Sequence, residues 1–269
     1  MKIGISTGCL YPMLTEDCIC ELLQWGFDSI EIFFNTFSEL EEPYLAQLKD
    51  MLDRHGAVVR SIHPFTSSYE SFLLFSAYER RFDDGVRLYE MYYRAAARLG
   101  AKKVVLHGLR EDFHSALPVE EYFRRFAVLQ QRAAEYGVTL LQENVNRFIS
   151  NRIDFVRQMK EKIPQSAAFV CDIKQAHLGG IRPVDMVCAM GSSLKHIHIN
   201  DFSADDRCVL PGCGVFDYKE FFDNVQKTGF DGDVMIEVYR FSYDKLSELR
   251  AAYDYLTAVC SEYGGEYKV

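Results

Sequence analysis

Seven titratable residues occupy equivalent places along this chain of 269 residues. Glu31, His63, His107, Glu143, Asp172, His198 and Glu237 each close an apolar or β-branched run. The run HIHIND (residues 196–201) shows the pattern most sharply, with two imidazoles alternating with isoleucines. Period-two alternation reads as a strand with one polar face. Singly, each of these residues reads as a capping or hydrogen-bonded strand end. Together they describe a cluster in which the carboxylates repel one another unless protons or a cation compensate. A divalent metal is the simplest compensation. His196 and His198 share one side of their strand, and His198 is nearer its C-terminal end. His198 is therefore read as the ligand, and His196 as packed or hydrogen-bonded one layer lower.

Such a cluster requires elements that bring distant segments to one rim. Glycines punctuate the chain: runs start at Gly26, Gly56, Gly100, Gly137, Gly191 and Gly229, and Pro164 plays the same part before AAFVCD. Each breaker is followed by an apolar run and then a polar residue, and KIGIST at the start adds an eighth strand. Helical segments lie between them. Tyr122, Phe126, Leu129, Ala133 and Tyr136 step by four and three, as do Leu246, Leu249, Tyr253, Leu256 and Cys260. Trp25 follows a helical period and is expected in the core. Strands alternating with helices imply parallel βαβ units, and eight of them suit a closed barrel. No Gly/Ser- or Pro-rich linker divides the chain. The expectation is an α/β fold, a single (β/α)8 TIM-barrel domain over residues 1–269, with all strand ends on one rim.

Composition narrows the class. Hydrophobic residues make up 48% of the chain and the formal net charge is −9, so no basic face for nucleic acid is advertised. No apolar run reaches the length of a membrane span and the opening residues lack the pattern of a secretion signal. The eight cysteines are scattered without framework spacing, which fits reduced thiols in a cytoplasmic protein.

At this point the sequence resembles the xylose isomerase-like TIM-barrel superfamily, which includes sugar-phosphate isomerases and epimerases, ketose 3-epimerases, inosose dehydratases and endonuclease IV. The resemblance spans essentially the whole chain. It is carried by LLQEN (Glu143), FVCDIKQAHLGG (Asp172), HIHIND (His198), DDRCVLPGCGVFDY and VMIEVYR (Glu237). It implies metal ligation by Glu143, Asp172, His198 and Glu237, with Glu143 and Glu237 also shuttling the proton. Three carboxylates and one imidazole make a hard site that favours one Mn²⁺ or Mg²⁺, with Zn²⁺ and Co²⁺ as alternatives. An α-hydroxy carbonyl substrate would lose the proton next to its carbonyl and pass through an enediolate. His63, His107, Lys174 and Arg207 are the expected substrate-binding residues, and Glu31 is expected to bind a substrate hydroxyl or to orient a neighbouring ligand.

Two departures bear on the branch. Endonuclease IV has Asp-x-x-His where DIKQ places Gln175, and Asp-x-His where DRC places Cys208, so two ligands of a three-zinc site, which would also use Asp206, are altered. The expected activity is a metal-dependent isomerase or epimerase acting on a sugar or sugar phosphate. A cyclitol dehydratase on the same scaffold is the alternative, and a DNA-repair nuclease ranks below both. The partner is a small carbohydrate, not nucleic acid or membrane, and a homo-oligomer stays open. The loop at residues 200–214 exceeds a routine βα connection and is expected to cover the barrel mouth.

Overall fold

The computed structural model describes residues 1–114, 117–204 and 207–263. Its strands are β1 (Lys2–Ser6), β2 (Ser29–Phe33), β3 (Val58–His63), β4 (Lys103–Leu106), β5 (Thr139–Glu143), β6 (Phe169–Asp172), β7 (Leu194–Ile199) and β8 (Asp233–Ile236). Each runs parallel to the next, and β8 pairs with β1 to close the barrel. The first helices are α1 (Thr15–Gln24), α2 (Glu42–Arg54), α3 (Ser67–Leu73), α4 (Glu79–Leu99) and α5 (Val119–Glu135). They are followed by α6 (Ile153–Lys162), α7 (Ile173–Leu178), α8 (Pro183–Met190), α9 (Tyr218–Lys227) and α10 (Leu246–Ser261).

The helices form where apolar residues recur at helical spacing. On α4, Phe82, Gly85, Tyr89, Tyr92, Ala96 and Leu99 are buried at steps of three and four, which lays one face against the barrel. Gly100 then stops the helix at φ 83°, a left-handed conformation that costs a residue without Cβ little. The other glycines that punctuate the sequence, at 26, 56, 137, 191 and 229, also have positive φ. Trp25 departs from expectation. Helix α1 ends at Gln24, so Trp25 falls beyond its last turn and is 39% exposed. No described helix is long and apolar enough to cross a membrane.

Strand geometry sets the barrel interior in layers, because residues two apart on a strand point the same way. Val105, Leu141, Ala168 and Val170 pack together as a separate apolar cluster. Two residues further along each strand direction come His107, Glu143 and Asp172. The same step leads from Met235 to Glu237 and from His196 to His198. The lower layer is mainly apolar, with His196 among it, and the upper layer carries the titratable side chains. At the opposite end Asp233 pairs with Lys103, and Arg60 Nε lies 3.8 Å from its Oδ1.

Gly4 admits Met235 to the barrel floor. A Cβ built at Gly4 would lie 2.5 Å from the Ser29 carbonyl oxygen and 2.6 Å from Met235 Sδ. The backbone oxygen cannot yield without moving β2. Gly4→Ala is therefore expected to destabilise the fold by roughly 1–3 kcal/mol, the usual range for overpacking. Urea denaturation followed by circular dichroism checks this, and an unchanged midpoint would show that the floor relaxes freely.

Candidate active site

The site is built around His198, which is 1% exposed. Its Nδ1 lies 2.8 Å from Glu143 Oε1 and 3.0 Å from Glu237 Oε2, while its Nε2 lies 3.1 Å from Glu31 Oε2. One imidazole is thus held by carboxylates on both edges. Burial opposes its charge, yet Glu31, Glu237 and Glu143 outweigh burial and raise its pKa well above the ordinary imidazole value. In return the carboxylates are held in their charged forms. Burial works against Glu143, but the His198 hydrogen bond and charge lower its pKa. Burial works against Glu237 too, and Lys174 and His198 hold its carboxyl below the usual range.

Glu31 lies beneath this group. Its Oε2 accepts from Ser61 Oγ at 2.6 Å and faces His196 Nε2 at 3.2 Å, and the side chain is fully buried. The pairing of β2 with β3 slips in register between Ile30 and Glu31, which sets Glu31 beside Ser61. His196 sits one layer below His198, as its place in the strand requires. Of the two roles expected for Glu31, binding a substrate hydroxyl or orienting a neighbouring ligand, its place fits the second, since it stands two residues before the end of β2, does not line the cavity above and faces His198 Nε2.

His63, Glu143, His198 and Glu237 each offer a donor atom, all within 4.8 Å of one another. His63 is stacked between Phe33, at 4.6 Å, and His198, at 5.5 Å between ring centroids. Burial and the neighbouring His107 lower its pKa, which keeps it neutral. Asp172 is outside this set. Its Oδ1 caps α7 by accepting from the Gln175 backbone N–H at 2.9 Å, and its Oδ2 faces Lys174 Nζ at 3.6 Å. Burial pushes the Asp172 carboxyl up to about 7, with Lys174 opposing and Glu237 and Glu143 reinforcing the rise. Lys174 Nζ also lies 3.8 Å from Glu237 Oε2 and 4.8 Å from the centre of the Tyr239 ring.

Two observations show that this donor set suits a cation. Glu237 Oε2 is buried without a hydrogen-bond partner, with His198 Nδ1 at 3.0 Å and Lys174 Nζ at 3.8 Å beside it. Burial, reinforced by Glu237 and Glu143, raises the Asp172 carboxyl, and a cation beside these carboxylates would relieve that.

Above these residues a cavity of about 230 Å³ opens at the barrel mouth, lined by His63, His107, Glu143, Lys174, Glu237 and Tyr239 among others. Among the expected binding residues, His63, His107 and Lys174 face it. Arg207 does not; it is exposed, while the next residue, Cys208, is buried. Asp206 lies outside the described residues. The loop after β7 is wrapped around its own anchor. Asp201 accepts backbone N–H groups from Phe202, Gly212, Gly214 and Phe216 at 2.8, 3.2, 3.0 and 3.0 Å. Ser242 Oγ donates to the Cys208 carbonyl at 2.7 Å, which ties the loop to the segment after β8. None of its described residues lines the cavity. Gln175 Oε1 is engaged by the Asn146 backbone N–H at 3.0 Å.

Glu70 and Tyr239 were missed in the sequence. Glu70 Oε1 accepts from His107 Nδ1 at 3.0 Å, although Glu70 lies on a helix and closes no strand. Its only signal is that it is the lone charge in the stretch from Phe65 to Phe75.

A family profile described as xylose isomerase-like TIM barrel matches residues 20–259. An uncharacterized protein of Mycobacterium leprae is 24% identical over 278 residues, covering 92% of each chain. Among solved structures, the 3-keto-D-glucoside 4-epimerase YcjR of E. coli superposes with a TM-score of 0.76 at 20% identity, covering 96% of this chain and 99% of that one. A D-psicose 3-epimerase of Clostridium cellulolyticum, solved with D-tagatose, gives 0.79 at 17% identity, covering 96% and 99%. The IolI protein with a bound zinc atom gives 0.78 at 18%, covering 98% and 99%.

Two measurements probe the charges of the site. His107 is raised from 6.5 to about 9, where Glu70 outweighs the opposing effect of burial. A pKa raised by folding contributes stability that is complete below the unfolded value and lost as pH rises through the folded one. The metal-free protein is expected to lose stability between pH 6.5 and about 9, read as a falling urea midpoint, with the slope reduced in His107→Gln. A flat wild-type midpoint across that window would contradict the pairing. The Lys174 ammonium should also oppose a nearby divalent ion, by several kcal/mol even at an effective dielectric of about 20. Lys174→Met is expected to bind Mn²⁺ at least about tenfold more tightly by calorimetry, and equal or weaker binding would remove that effect.

Proposed function

The chain belongs to the xylose isomerase-like TIM-barrel family, and we propose that it is a metal-dependent sugar isomerase or epimerase that moves a proton next to a carbonyl. The observation that carries this reading is the pair Glu143 and Glu237. Both line the cavity, both approach the same edge of His198, and both have lowered pKa values that keep them ionised near neutral pH. Two ionised carboxylates lining one cavity are the equipment for removing and returning a proton.

Glu143, His198 and Glu237 would hold the metal with Asp172, and His63 is the competing fourth ligand. A bound divalent ion would supply charge stabilisation to the substrate's carbonyl and neighbouring hydroxyl oxygens. Glu31, accepting from His198 Nε2, leaves Nδ1 as the edge turned to the carboxylates. Glu143 takes the carbon-bound proton from one side of the substrate, and Glu237 returns or takes it on the other. His63 and His107 hydrogen-bond the sugar oxygens, and the apolar layer below excludes water from beneath. The neighbouring solved epimerases support a small carbohydrate as the substrate class.

The test is deuterium wash-in from D₂O next to the carbonyl, across a panel of keto-sugars and their phosphates. Loss of water would mark the dehydratase reading, and no exchange with any member would reject proton abstraction from this class. Glu143→Gln and Glu237→Gln should each lower exchange by roughly 10²–10⁴-fold, since an amide cannot accept the proton. Each should block one epimer more than the other. Full exchange in both variants at full metal occupancy would leave these residues as ligands only. Asp172→Asn should lower metal content while His63→Gln retains it; the reverse result would exchange their roles.

A further inference from the structure

The short helix α3 between β3 and α4 points one carboxylate into the barrel rim. Glu70 is 1% exposed and all of its hydrogen bonds are to the chain. Its Oε1 accepts from Tyr89 Oη at 2.7 Å and from His107 Nδ1 at 3.0 Å, and its Oε2 accepts the Gly108 backbone N–H at 2.6 Å. The adjacent Ser71 grips the same segment, donating to the Gly108 carbonyl at 3.2 Å and accepting from the Arg110 N–H at 2.9 Å. Two neighbouring residues of α3 thus clamp the chain just beyond β4.

We infer that Glu70 is a positioning residue that holds the Nδ1 proton of His107 in place, so that His107 presents Nε2 to a substrate oxygen in the cavity. Nδ1 faces a carboxylate oxygen, which only accepts, so Nδ1 carries a proton. The opposite edge is then the free one. Nε2 lies 3.8 Å from Glu143 Oε2, on the cavity wall and beside the carboxylate proposed to move the proton. His107 and Glu143 therefore address the same small volume. That the oxygen belongs to a sugar rests on the function proposed above; the Nδ1 proton does not.

The surroundings make the assignment sensitive to one atom. In Glu70→Gln the Gly108 N–H must keep an acceptor opposite it, so the amide oxygen takes the place of Oε2. The amide nitrogen then faces His107 Nδ1 and donates to it. Nδ1 must accept, so the imidazole keeps a proton on Nε2 alone. The substitution preserves size and takes the proton off Nδ1.

The experiment is long-range ¹⁵N–¹H spectroscopy of the full-length protein labelled at histidine, with His107 assigned by its loss in His107→Gln. Nδ1 of His107 is expected to be protonated in the wild type and unprotonated in Glu70→Gln. Tyr89→Phe, which removes another donor to the same Glu70 oxygen, should leave Nδ1 protonated. An unprotonated Nδ1 in the wild type overturns the inference even if Glu70→Gln fails to fold, and so does an unchanged Nδ1 in a folded Glu70→Gln. With whichever keto-sugar of the panel exchanges deuterium, Glu70→Gln should lower exchange about 10–100-fold at unchanged metal content, as loss of an orienting partner does. Undiminished exchange would remove the link to substrate. If no sugar exchanges, the functional reading fails while the spectra still decide whether Glu70 holds the Nδ1 proton.

Discussion

Every feature of the rim depends on the need to keep several carboxylates ionised in a buried place. His198 meets that need by standing between Glu31 on one edge and Glu143 and Glu237 on the other. Removing either partner would leave a buried charge uncompensated, which is far costlier than losing a surface pair. This constraint explains why the strand that delivers His198 also delivers His196 two residues earlier. The lower imidazole shares Glu31 with the upper one and fills the layer beneath it. It also explains why the floor below is apolar. Val105, Leu141 and Val170 exclude water from under the charged layer, so the pairs act in a low dielectric.

The outer supports follow the same principle with carboxylates that do no chemistry themselves. Glu70 gathers Tyr89, His107 and the Gly108 N–H, and Asp201 gathers four backbone N–H groups of its loop. Each buried oxygen is satisfied, and each therefore acts as a fixed point from which neighbouring segments are measured. The site is held by charges that cannot move without losing their partners.

Much of this was legible in the chain. The glycine punctuation and the helical periodicity identified the strands and helices, and the strand-end acids and imidazoles identified the rim. Other assignments needed neighbours that sequence does not display. Glu31 looked like a rim residue because GFDSIEIF closes near it, yet two further residues of β2 follow, and that one step moves it beneath His198. Arg207 looked poised over the mouth, but burial of Cys208 and the Asp201 anchor leave it outward. Only the structure shows that His63 also brings a donor atom within reach of Glu143, His198 and Glu237, and that Asp172 faces Lys174. Glu70 carried no strand-end signal at all.

The sequence by itself determined the fold class, because local periodicity and backbone preferences repeat along the chain and require no knowledge of distant contacts. It also determined that strand-end residues gather at one rim, since parallel strands carry their C-terminal residues to the same end whatever the side-chain details. Only the tertiary structure decided which donor faces which. That depends on register, on the single-residue slip beside Glu31 and on the insertion of α3. These shift atoms by a few ångströms, a distance invisible to spacing along the chain and decisive for hydrogen bonds and charge.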